Sequence, residues 1–143
     1  VDIKMKKIFK FFNNTGDAFY IILRVVAGLL FLQHGLQKLF GMFGGLDGAG
    51  AFAAAFTLFW FIGILELVAG LSFTLGIFVR PLALLASIEM IVAYIWMHSP
   101  NNIFPILNFG ELPLLNFVIF LYLLSQGARS WSLEKVIFKK EFF

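Results

Sequence analysis

The chain alternates long apolar runs with short polar or glycine-rich breaks. Four runs approach the roughly 20 apolar residues that a membrane-spanning helix requires. They fall at about 18–40, 57–79, 81–98 and 112–128. Pro81 opens the third run and Pro113 the fourth, both at positions where a helix tolerates a missing N–H. The reading is one all-α domain over 1–143, an integral membrane four-helix bundle.

Basic residues give this partition a sidedness. Lys4, Lys6, Lys7 and Lys10 precede the first run, and residues 41–56 carry no Lys or Arg. Arg80 sits in the tight second turn, and 99–111 is again bare. Arg129, Lys135, Lys139 and Lys140 follow the fourth run. That alternation predicts an even number of spans with both termini cytoplasmic. Residues 132–143 read as a short amphipathic interfacial helix, with Leu133, Val136 and Ile137 dipping among headgroups that meet the lysines. In the glycine-rich first loop, Ala51–Phe56 is expected to form a short helix or to extend the second span. That loop is not a phosphate loop, because no Lys-Ser/Thr follows its glycines.

Composition agrees. The chain is 61% hydrophobic and only 13% charged, with a mean hydropathy of +0.93. A soluble fold could not bury that much apolar surface. The net charge of +3 therefore reads as membrane flanking, not nucleic-acid binding. No secretory leader is read, since no small-residue cleavage site follows the first run. There is no cysteine, which excludes thiolate nucleophiles, disulfide relay and iron–sulfur ligation by this chain. A redox role would need an electron carrier from outside it.

The chemistry lies in polar residues within or beside the runs. Ionisable side chains at such depth cost about 2.5 kcal/mol or more and usually face protein or a wet cavity. The candidates are Arg24, His34, Lys38, Glu66, Glu89, His98, Glu111 and Asn116. At about 100° per residue, Arg24, Gly28, Phe31, Gly35 and Lys38 share a face. His34 lies at its edge, and Gln33 and Gln37 point largely elsewhere. Gly63, Glu66, Gly70 and Thr74 share a face of the second run, where glycines admit close helix packing. Glu66 should meet Lys38 or His34 there, and Arg24 could pair with Glu89. His34, Lys38, Glu66, His98, Glu111 and Asn116 all fall between mid-membrane and the outer surface, so the expectation is one polar pocket open outward. A register-fixing ion pair that binds nothing accounts for Lys38 and Glu66 equally well. The His and Glu residues are metal-ligand types, but no short spacing motif supports a metal site, and none is expected.

Several ordered motifs resemble the DoxX family of small four-span membrane proteins. RVVAGLLFLQHGLQKLFG (24–41) resembles its first span. GILELVAGLSFTLGIFVRPLALL (63–85) resembles its second segment, with Glu66 and the turn at Arg80. YIWMH (94–98), Gly110-Glu111 and GARSWSLEK (127–135) resemble its later signatures. The resemblance implies a bacterial-type plasma (inner) membrane and an association with membrane redox systems. A related family forms a subunit of thiosulfate:quinone oxidoreductases, and other relatives act as cargo receptors or assembly chaperones. Three readings follow. The leading one is a quinone-linked redox subunit with a partner subunit. The others are a small-anion or lipid-headgroup binding or transport protein, for which four short spans are few unless it forms a homo-oligomer, and an assembly helper for another membrane protein.

Overall fold

The structure, a computed structural model, describes Met5, Lys6, Lys10 and residues 15–140. Lys4 and Lys7 of the expected basic flank and residues 141–143 of the expected C-terminal helix lie outside the described residues. Six α-helices are named here: α1 Gly16–Phe40, α2 Leu58–Leu75, α3 Val79–Ala93, α4 Pro105–Asn108, α5 Glu111–Gln126 and α6 Leu133–Phe138. Among the described residues there is no strand, only an isolated bridge between Gly45 and Ala51. Among the described residues, three helical stretches are long and apolar enough to cross a membrane: α1, α2, and α3 with its continuation to His98. The apolar α5 has 16 residues and falls short of that length.

Two boundaries differ from the sequence reading for backbone reasons. The third helix begins at Val79, so Pro81 stands third in its first turn, where no intrahelical bond is lost. Pro113 takes the same place in α5. Beyond Ala93, α3 continues through Tyr94–His98 as a π-helix, with Ser99 N donating to Tyr94 O at 2.9 Å. Ala51–Phe56 neither forms a helix nor extends α2. Its backbone is committed elsewhere: Ala53 N donates to Lys38 O at 2.7 Å, satisfying a carbonyl in the last turn of α1. Asp47 organises the same loop, accepting from Ala49 N at 2.8 Å and Ala51 N at 3.0 Å. Those backbone donors hold its carboxyl below the ordinary value.

Helices α1 and α2 run antiparallel in very close contact. A Cβ on Gly35 would lie 2.5 Å from Leu67 N, and one on Gly70 2.5 Å from Leu32 N. Gly28 meets Gly70 and Thr74, while Gly63 meets Lys38 and Leu39. The glycine face expected from sequence is this seam. Phe31, Phe73 and Phe120 bring α1, α2 and α5 together, with ring centroids 4.8–6.4 Å apart. All three are buried, alongside Ala69, Ala83, Ala86 and Leu123.

The segment after α5 folds back under this core. Tyr20 Oη donates to Gly127 O, and Arg24 donates to Ala128 O and Trp131 O. Ser132 Oγ donates to Gly76 O at 2.8 Å. Arg129 pairs with Asp17 at 3.0 Å and lies over the Tyr20 ring.

Candidate functional site

The glycine seam sets the site. With α1 and α2 so close, Lys38 near the end of α1 reaches Glu66 in the middle of α2. Lys38 Nζ donates to both Glu66 oxygens at 2.8 Å. The two side chains are 14% and 4% exposed, so the pair is screened from solvent. Glu89 of α3 brings a second carboxyl within hydrogen-bonding reach of Glu66 and within electrostatic range of Lys38. Glu89 Oε2 is buried and has no hydrogen-bond partner among the described residues. One ammonium thus faces two carboxyl groups, and one carboxyl oxygen is left over.

His34 stands one turn before Lys38 and feels its charge. It lines a separate surface groove of about 170 Å³ with Gln33, Gln37 and Phe43. Gln37 Nε2 donates to Gly45 O at 2.9 Å, fixing one groove wall to the loop. The groove offers an imidazole, two carboxamides and an aromatic ring to a planar molecule with carbonyl oxygens.

The other sequence candidates go elsewhere. Arg24 is buried at the opposite end of α1, where it binds the carbonyls of Ala128 and Trp131, while Glu89 faces Glu66 and Lys38. The anticipated Arg24–Glu89 pairing does not form, because Arg24 closes the carbonyl-rich turn after α5. His98, at the end of the π-helix, has Nδ1 2.8 Å from Asn108 O and so holds the 99–110 loop. Glu111 is exposed at the first position of α5, and Asn116 is half-buried on the same helix. Among the described residues, no group of three His, Cys, Asp or Glu side chains is arranged to hold a metal.

Sequence reasoning set Gln33 and Gln37 aside as pointing away from the packing face, which they do; that outward position makes them groove residues. It missed Asn108, which is buried and makes four hydrogen bonds. A single Asn in a loop carries no periodic signal that could have found it.

The DoxX family model matches residues 19–99. The chain belongs to the DoxX family. The matched stretch contains Lys38, Glu66, Glu89 and the His34 groove. An "Uncharacterized protein" of Haemophilus influenzae is 35% identical over 125 residues, covering 85% of this chain and 92% of the relative. The "Putative oxidoreductase CatD" of Bacillus subtilis is 27% identical over 127 residues, covering 89% of this chain and 92% of that protein. No solved structure matches.

Proposed function

We propose that this DoxX protein is a redox-linked, quinone-associated subunit of the plasma (inner) membrane, with four spans and both termini cytoplasmic. The observation that carries the reading is the Lys38–Glu66–Glu89 cluster with its unpartnered Glu89 oxygen. Buried carboxyl oxygens without partners are rare and usually have a chemical reason. Ionisable groups inside a membrane point to function before structure. The name of the Bacillus relative favours redox chemistry over the alternatives.

A quinone, when bound, supplies the exchange of electrons and protons. The chain's own part is to hold and orient. The His34 ring N–H and the Gln33 and Gln37 carboxamides are donors for carbonyl oxygens, and Phe43 is an apolar wall. Lys38, one turn on, links that groove electrostatically to Glu66 and Glu89. The Glu89 Oε2 atom is the position at which the cluster can take or release a proton. Electrons come from a partner subunit or a soluble reductant. Anion binding fits less well, because both carboxyl groups already surround the Lys38 ammonium. The placement of α6 supports the cytoplasmic side: Val136 and Ile137 are 74% and 57% exposed beside Lys135 and Lys139, as in an interfacial helix.

The test is mass spectrometry of small molecules extracted from gently purified protein. The parent is compared with His34→Ala, Glu66→Gln and Glu89→Gln. A quinone retained by the parent and lost from His34→Ala is the expected result. Bulk lipid alone in all four preparations would refute it and leave a structural ion pair.

A further inference from the structure

The end of the molecule away from the start of α1 is unusually apolar for a loop region. Residues 99–110 contain no charged side chain. Ile103, Phe104, Ile106, Leu107 and Phe109 are 61–86% exposed. Phe109 also adopts φ 58°, a conformation a bulky residue rarely takes. Exposing five contiguous large apolar side chains to water is unfavourable.

The backbone of this loop is closed on itself. Tyr94 Oη donates to Ile103 O at 2.7 Å, and Asn108 Nδ2 donates to Asn102 O at 2.6 Å. Asn102 Oδ1 accepts from Phe104 N at 2.9 Å, and Asn108 Oδ1 accepts from Gly110 N at 2.7 Å. His98 Nδ1 lies against Asn108 O, and Leu107 N and Asn108 N both donate to Phe104 O. Irregular backbone can sit among lipids only when its polar groups are satisfied by protein in this way.

The adjoining helix supplies a reason for the arrangement. At 1.5 Å per residue, the 16 residues of α5 span about 24 Å, against a hydrocarbon core of about 30 Å. Its apolar belt is short by about 6 Å. The loop that leads directly into α5 carries the apolar surface that would make up the difference.

We propose that residues 102–110 form a membrane-seated cap. Its five apolar side chains insert at the headgroup–acyl boundary of the leaflet distal to the start of α1. Asn102, Asn108, Tyr94 and His98 pair the backbone groups at Asn102, Ile103, Phe104, Asn108 and Gly110 inside. The occupant of this surface is lipid.

The chain's lack of cysteine makes the test direct. Single-cysteine variants Phe104→Cys, Ile106→Cys and Phe109→Cys carry a nitroxide in full-length protein, reconstituted into phosphatidylcholine–phosphatidylglycerol vesicles. Collision rates with oxygen, which concentrates in lipid, are compared with those of a water-soluble nickel chelate. Ala49→Cys and Asn101→Cys, both exposed, are the water-facing references. The expected oxygen-to-nickel ratio is several-fold higher at 104, 106 and 109 than at 49 and 101. Equal ratios would overturn the proposal. So would low collision with both agents, which would mean that a protein covers the patch. Adding Asn108→Ala to Phe104→Cys should lower its ratio toward the references, and an unchanged ratio would remove Asn108 from the scaffold.

Discussion

Lys38 and Glu66 show how a buried charge acquires its meaning from its neighbours. Removing one partner of such a pair leaves the other uncompensated, at a cost of about 3–5 kcal/mol. Glu66→Gln should therefore lower the melting temperature in detergent, read from tryptophan emission. A Lys38→Met, Glu66→Leu double variant should melt closer to the parent than Glu66→Gln does, because an apolar pair leaves no buried charge behind. If the double variant melts lower still, the pair contributes net stability. Glu89 should respond differently. Among the described residues its Oε2 has no partner and it makes no ion pair with Lys38, so Glu89→Gln should lower melting less than Glu66→Gln does while affecting small-molecule retention. That contrast separates a structural carboxyl from a functional one.

At the level of elements, the α1–α2 seam is the decisive contact. Glycines 28, 35, 63 and 70 place backbone against backbone, and this brings Lys38 to Glu66. A Cβ at Gly35 would lie 2.5 Å from Leu67 N and 2.8 Å from its Cα, and backbone cannot yield as a flexible side chain does. Gly35→Ala should force the helices apart at a cost of about 1–3 kcal/mol, the usual range for overpacking. Gly16→Ala, with nothing within 4 Å, is the control. Thermal unfolding of both in one detergent checks the difference. A Gly35→Ala variant as stable as Gly16→Ala would mean that the seam is looser than described.

Over the whole molecule, the segment after α5 latches the end of the molecule at which α1 begins. Arg24, Tyr20 and the Gly76 carbonyl hold residues 127–134 by bonds drawn from distant parts of the chain. Arg24→Met keeps much of the apolar stem and removes the guanidinium. Limited proteolysis should then cleave within 129–140 several-fold faster than in the parent. Cleavage at the parental rate would show that the remaining contacts suffice.

The sequence by itself determined the membrane class, the helical runs and the two faces whose glycines and charges meet. These depend on side-chain hydrophobicity and on helical period, which are local properties. Lys38–Glu66 was legible because glycines seven residues apart on both helices leave few ways to pack them. Tertiary structure decided the rest. Arg24 turned from Glu89 to the carbonyls of the 127–131 turn, whose geometry exists only after the chain doubles back. Glu89 joined Glu66 because α3 packs beside α2 at one rotation that no single-helix period specifies. Residues 99–110 became an internally bonded apolar cap through contacts between Tyr94, His98, Asn102 and Asn108. Such contacts depend on where a loop closes in space, and spacing along the chain carries no record of that.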